Sequence, residues 1–266
     1  MTIGQKLASD AQRRLSNVYS TRERFSIRDH CLDQVANETA DPVERAVAEA
    51  ARHATWNHVR APHRDRSNLD VETTIDGMRI AMQALARGVG GPVGVVLASL
   101  GRQVVQSAEA RCEGLRRGDF RNAATGSYPD GANMGAAYLQ AIQRSASPAE
   151  SAVVSLALKE SQQAEPDMLA SHYQLAAFQV VEEGAGSSPG KALARFAQLA
   201  CGPIQGDLGF EKTCRYEMPA PEATRLRERV LRQILENGDS GQQEQARRAL
   251  SGGLPAHDAL EYVLTH

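Results

Sequence analysis

The densest run of positive charge in this chain is the segment RAPHRDR, at positions 60–66. It comes immediately before a helix that is predicted to begin near Ser67. The first backbone N–H groups of a helix lack partners within the helix, and the helix dipole favours negative charge at that end. Arginines beside such a helix end predict an anion site, suited to a phosphate, a nucleotide or an acidic partner surface. The alternative is a solvated charge run without a ligand.

The candidate binding site extends back from this run to the only tryptophan of the chain. Its six members are Trp56, His58, Arg60, His63, Arg64 and Arg66. The rarest residue type and the densest charge therefore fall together. We predict that this stretch binds an anion or a protein partner. No residue type or spacing in it identifies a catalytic group, so catalytic residues stay unassigned.

Three histidines around this site recur at intervals of five residues, at His53, His58 and His63. Steps of five place successive side chains about 140° apart around a helix, because each residue turns the helix by about 100°. Metal-binding helices use steps of three or four residues instead. The zinc-binding patterns HExxH and CxxC do not occur in the sequence. We therefore predict no metal site and no cofactor.

The four cysteines do not indicate a catalytic thiol. Cys31 follows His30, but neighbouring residues on a helix point in different directions and do not form a catalytic pair. Cys112 lies on an apolar helical stripe and is predicted to be a small core residue. Cys201 and Cys214 enclose a glycine-containing loop that a disulfide would close in an oxidising compartment. Two free thiols are the favoured interpretation, because no cleavable secretion signal is recognisable.

The amino-acid composition predicts which secondary structure carries these candidate residues. The chain contains 41 alanines, while aromatic residues make up only 5%. Alanine is the strongest helix former, and aromatic residues favour strands. We predict an all-α, compact bundle or array of about 10–12 short to medium helices without significant sheet. The predicted helices span residues 3–19, 26–37, 42–59, 68–87, 93–117, 132–145, 148–164, 166–183, 189–201, 221–237, 241–250 and 255–265.

Helix starts are marked by a repeated pattern of cap, proline and glutamate. Asp41 and Ser147 each precede a proline, with Glu44 and Glu150 three residues after the cap. This pattern predicts two capping boxes, in which the cap accepts from the glutamate N–H and the glutamate returns to the cap N–H. Ser26 is a further candidate helix start.

A segment near the middle of the chain divides the predicted helices into two groups. Residues 118–131, GDFRNAATGSYPDG, lack helical periodicity and contain turn-forming residues. We predict an N-terminal helical segment at 1–117 and a C-terminal one at 132–266, joined by a linker or long surface loop at 118–131. The net charge is +3 through Asn122 and −5 after it. One compact domain that contains both segments is the favoured arrangement, and two separate domains are the alternative.

These features favour binding over catalysis. Arginine outnumbers lysine by 26 to 4, which with the high alanine content is typical of a GC-rich bacterial genome. We expect a bacterial α-helical interaction protein, such as an adaptor, a secretion accessory or a translocated effector, that binds a protein partner. The alternative is a helical enzyme that assembles its active site from distant segments and binds an anionic or phosphorylated small molecule near residues 53–66.

The remaining classes are less compatible with the sequence. The overall charge of −2 does not favour a nucleic-acid binder. The longest uncharged stretch, residues 88–101, contains five glycines and a proline and is too short to span a membrane. The first 25 residues contain no uninterrupted apolar segment after their charges, so a cleaved Sec signal is not predicted. We expect a cytoplasmic protein, or one exported without such a signal.

Overall fold

The structure is a computed structural model of the chain. It describes residues 1–60, 68–116, 131–164, 167–185, 188–202 and 218–266. Within these ranges, the side chains of residues 56–60, 68–75, 109–116, 131–132 and 167–168 are not described. The described residues form twelve helices and no strand, which confirms the all-α prediction.

The helices follow the predicted order along the chain. They are α1 Ile3–Leu15, α2 Thr21–Glu38, α3 Pro42–Arg60, α4 Asn68–Arg87, α5 Val93–Arg116, α6 Gly131–Gln143, α7 Pro148–Gln163, α8 Asp167–Glu182, α9 Pro189–Cys201, α10 Ala220–Asn237, α11 Ser240–Leu250 and α12 Ala256–Thr265.

One predicted helix start is wrong. Helix α2 begins at Thr21 rather than at Ser26, because Ser20 caps it by accepting a hydrogen bond from the Glu23 N–H at 3.4 Å. The chain before it leaves the helical path early: α1 ends at Leu15, whereas the sequence predicted a helix through residue 19.

The capping box at the start of α7 is confirmed. The Ser147 hydroxyl accepts from the Glu150 N–H at 3.3 Å, and the Glu150 carboxylate accepts from the Ser147 N–H at 2.7 Å. All four atoms lie within one turn, so this geometry follows from the local sequence.

The capping box predicted at the start of α3 is only half correct. Asp41 Oδ1 accepts from the Val43 and Glu44 N–H groups at 2.8 and 3.2 Å, as expected for a cap. The Asp41 N–H, however, donates to the Thr39 hydroxyl at 3.2 Å instead of to Glu44. The Glu44 carboxylate turns towards α1 and accepts from the Gly4 N–H.

The chain forms two compact units, Met1–Ile142 and Gln143–His266. In the first unit, α3 packs against α2, α4 and α5, and α1 packs against α2 and α4. In the second, α9 packs against α7, α8, α10 and α12. The predicted linker lies outside the described residues except for its last residue, which begins α6. Its role stays a prediction.

The cores consist largely of small and aliphatic side chains. Apolar stripes are buried on α4 at Met78, Met82 and Leu85, and on α10 at Leu226 and Ile234. The largest fully buried side chains include four aromatic residues, Tyr138, Tyr173, Phe178 and Phe196. Few large rings are needed because alanine lets helix backbones approach closely. Among the described residues, no helix is long and apolar enough to cross a membrane.

Candidate functional site

The site predicted from the sequence lies outside the described side chains. Helix α3 carries Trp56, His58 and Arg60 on its last turn and a half, while His63, Arg64 and Arg66 follow in residues that are not described. Their use as an anion or partner site stays a prediction, and so does the alternative of an enzyme that uses this stretch. His53, the nearest described histidine, is exposed.

The second unit contains a pocket of about 340 Å³ between α9, α10 and α12. Ten residues line it: Ala194, Ala197, Gln198, Cys201, Gly202, Arg227, His257, Leu260, Glu261 and Leu264. This volume is at the lower end of the range of ligand-binding clefts. We call this feature the α9–α12 groove.

Two helices line this groove with matching stripes. Helix α9 contributes positions 194, 197, 198 and 201, and α12 contributes positions 257, 260, 261 and 264. Both sets follow the spacing i, i+3, i+4, i+7, which places them on one face of a helix. The groove therefore lies between one face of α9 and one face of α12, two helices that pack against each other.

The floor of the groove is apolar, and its rim carries charges of both signs. Ala194, Ala197 and Leu260 are buried, whereas His257 and Glu261 are exposed. Among the described residues, neither Arg227 nor Glu261 has an ion-pair partner for its side chain. The groove thus offers an apolar surface together with unpaired charges that a bound molecule could match.

The Cys201 thiol lies at one end of the groove and is not an activated nucleophile. Its S–H donates to the Ala223 carbonyl at 3.6 Å, and burial raises its pKa above the ordinary value. A protonated thiol is a poor nucleophile. The pairing with Cys214 stays a prediction, because that residue lies outside the described part of the chain. Cys31 is buried, and burial raises its pKa to about 11.

A buried histidine anchors the end of α9 that carries Cys201. His172 on α8 donates from Nε2 to the Ala200 carbonyl at 2.6 Å, which fixes the ring as a donor because a carbonyl only accepts. Burial lowers the pKa of His172, so the neutral ring is favoured in the folded protein. This bond satisfies a carbonyl in the last turn of α9, where the helix itself provides no partner.

A partly buried polar cluster links α10 to α7 and α8. Glu160 forms an ion pair with Arg229, and the Tyr173 hydroxyl donates to Glu222 Oε1 at 3.0 Å. Burial raises the pKa of Glu160, and the Arg229 charge opposes that shift. The Glu160 side chain is only 1% exposed and so is shielded from any substrate. The cluster therefore holds in place the helix that carries Arg227.

The groove has no direct signature in the sequence. Its two stripes lie about sixty residues apart in the chain, and each one separately resembles an ordinary helix face. The exposed charge on the α12 stripe was the one available hint, since His257 and Glu261 share a face with Leu260 and Leu264. In the part of the chain that the structure describes, no three His, Cys, Asp or Glu residues are grouped to hold a metal ion.

Comparison of the chain with protein-family models, with curated proteins and with solved structures finds no match in any of the three.

Proposed function

We propose that this chain is an α-helical interaction protein that binds an amphipathic helix of a protein partner in the α9–α12 groove. The observation that carries the proposal is the pair of i, i+3, i+4, i+7 stripes that line the groove. In helix-in-groove recognition, an amphipathic helix of the partner places its apolar face in a hydrophobic groove of this kind. This function corresponds to an adaptor, because an adaptor acts by binding alone.

The dimensions of the groove suit a short helical segment. A stripe from i to i+7 covers about two helical turns, a length of about 10 Å. The small side chains Ala194 and Ala197 on the floor leave room for the larger apolar side chains of a partner. Burial of those side chains would supply most of the affinity, because apolar area removed from water is the main favourable term.

The rim charges define the chemistry of the partner. Arg227 calls for an acidic residue on the bound helix, and Glu261 for a basic one. Exposed ion pairs add only about 0.2–1 kcal/mol each. Their main effect is to orient the helix and to exclude partners of the wrong charge pattern. The partner helix is therefore apolar on one face and carries an acid and a base beside that face.

Selection from a library of displayed helical peptides tests this proposal. The enriched peptides should carry apolar residues at i and i+3 or i+4, with an acidic residue beside them. Selection on an Arg227→Glu variant should replace that acid by Lys or Arg. The matched control is Arg232→Glu, which makes the same charge change at an exposed position of α10 outside the groove. Arg232→Glu should return the original sequences.

Alkylation of Cys201 locates the bound peptide. A selected peptide should slow the reaction of iodoacetamide with Cys201, measured by mass spectrometry on the proteolytic fragment that contains this residue. Failure to enrich amphipathic sequences, or equal binding of the same peptides to Arg227→Glu, would contradict the proposal. Self-association of the chain that Arg227→Glu abolishes would assign the groove to a second copy and would also contradict it.

A further inference from the structure

Arg28 is a buried cation in the first unit, separate from the α9–α12 groove. It lies on α2 and is 9% exposed. Within the described part of the chain, its guanidinium makes one hydrogen bond, from Nη1 to the Arg24 carbonyl at the long distance of 3.5 Å. Nε is buried and has no hydrogen-bond partner among the residues that the structure describes. Burying a charge is costly unless it is paired and hydrogen-bonded, so this arrangement needs a compensating group.

Two further arginines increase the positive charge around Arg28. Arg24 lies one turn earlier on α2, and Arg79 lies on α4, which packs against α2. Arg24 Nε donates to the Val18 carbonyl at 2.7 Å, so this bond supplies no negative charge. Both arginines are exposed. We call these three residues, together with Asp76, the Arg28 cluster.

Asp76 is the one carboxylate that acts on Arg28 among the described residues. Burial lowers the pKa of Arg28 most, Arg24 and Arg79 lower it further, and Asp76 opposes them. Asp76 also accepts from Arg79 Nε at 3.2 Å, so its charge is shared. Counted over the described residues alone, the three guanidinium groups and the one carboxylate give the Arg28 cluster a net charge of +2.

We propose that the Arg28 cluster binds a small phosphate-type oxyanion, either free phosphate or the phosphate group of a small molecule. A guanidinium presents Nε and Nη donors in a planar fork that matches two oxygens of a phosphate. The unpartnered Nε of Arg28 provides one arm of such a fork. A doubly charged phosphate would neutralise the excess of +2. Arg24 and Arg79 are exposed, so they place positive charge at the surface beside Arg28.

Calorimetry and thermal unfolding with inorganic phosphate and with glycerol 3-phosphate test this proposal. Either ligand should bind saturably to the full chain and raise Tm relative to chloride at equal ionic strength, because a ligand that binds only the folded state stabilises it. Arg28→Gln should weaken binding by about tenfold or more, since it removes charged hydrogen bonds. Preference for the ester over free phosphate would identify the source of the phosphate group.

Three variants separate this site from a general charge effect. Arg28→Lys keeps the charge but loses the fork, and should recover only part of the affinity. Arg79→Gln should weaken phosphate binding several-fold. Because Arg79 is exposed, this variant still tests the proposal if Arg28→Gln fails to fold. Arg22→Gln, an exposed change on α2, should leave binding unchanged. Binding of neither ligand, or equal weakening by all of these variants, would overturn the proposal.

Discussion

The Gly4 N–H donates a hydrogen bond to Glu44 Oε2 at 3.2 Å, although the two residues lie 40 positions apart in the chain. The same carboxylate accepts from the hydroxyls of Thr2 and Thr39, the latter at 2.6 Å. Glu44 is 1% exposed, so its charge is compensated by these donors rather than by water. One buried carboxylate thus joins the first turn of α1 to the turn before α3.

Replacement of Gly4 by alanine should destabilise the first unit, contrary to the usual effect in a helix. A Cβ at this position would lie 2.6 Å from two atoms of the Glu44 carboxylate, which is held by its donors and has little freedom to move. Overpacking of this kind costs about 1–3 kcal/mol. Urea unfolding of Gly4→Ala measures the loss.

Gly241→Ala is the matched control, because Gly241 is also the second residue of its helix. Its Cβ would meet only Asp239 Oδ1, at an ordinary contact distance of 3.5 Å. This substitution should raise stability by about 0.5 kcal/mol through a lower entropy of the unfolded chain. A stabilising effect at both positions would show that Glu44 does not restrict Gly4.

Removal of the Tyr138 hydroxyl should stabilise the protein. Tyr138 is fully buried on α6, and its hydroxyl has no hydrogen-bond partner among the described residues. Burial raises its pKa, as expected for a group that loses its hydration. A buried unsatisfied group costs about 1–3 kcal/mol, so Tyr138→Phe should gain about 1 kcal/mol in urea unfolding.

The same substitution at Tyr173 should instead destabilise the protein. The Tyr173 hydroxyl donates to Glu222, so Tyr173→Phe leaves an acceptor without its donor and should lose about 1 kcal/mol. Equal losses at Tyr138 and Tyr173 would contradict the view that the Tyr138 hydroxyl is unsatisfied.

The Glu160–Arg229 pair should show strong coupling in a double-mutant cycle. Arg229→Ala leaves the buried Glu160 carboxylate without its partner and should cost about 1–3 kcal/mol, less than for a fully buried pair because Arg229 is 38% exposed. Glu160→Gln removes the buried charge together with its desolvation cost, so it should change stability much less than Arg229→Ala. In the Glu160→Gln background, Arg229→Ala should cost much less. Additive losses in urea unfolding would show that the pair is not coupled.

His172 should make the stability of the second unit depend on pH. Its pKa in the folded protein is lowered by burial, so the unfolded chain takes up the proton first. The contribution of His172 to the free energy of unfolding is therefore complete above the pKa of the unfolded chain, about 6.5. It is lost as the pH falls towards the lower pKa of the folded protein. The stability difference between the parent chain and His172→Gln should shrink from pH 7.5 to pH 5. A difference that stays constant with pH would contradict this assignment.

The helices could be predicted from the sequence because their signals are local. Caps, prolines and apolar spacing act within about four residues, so the Ser147–Glu150 box formed as predicted. The error at α2 is also local, because Ser20 competes with Ser26 as the cap and lies closer to the preceding turn.

The candidate sites required the tertiary structure. The α9–α12 groove exists only because two stripes about sixty residues apart face each other, and the Arg28 cluster only because α2 packs against α4. The anion site predicted from the sequence, at Trp56 to Arg66, stays a prediction. The Arg28 cluster shares its chemistry but uses arginines that are dispersed in the sequence and form no charge run.

Glu44 shows in one residue what the local sequence determines and what tertiary packing decides. The sequence by itself determined that α3 begins after Asp41, because the cap and the proline act on the adjacent backbone. It did not determine the partner of the Glu44 carboxylate, for which the Asp41 N–H and the Gly4 N–H compete. Packing of α1 beside the start of α3 brought several donors to one buried carboxylate, and burial strengthens each of those bonds. The tertiary structure therefore decided the outcome.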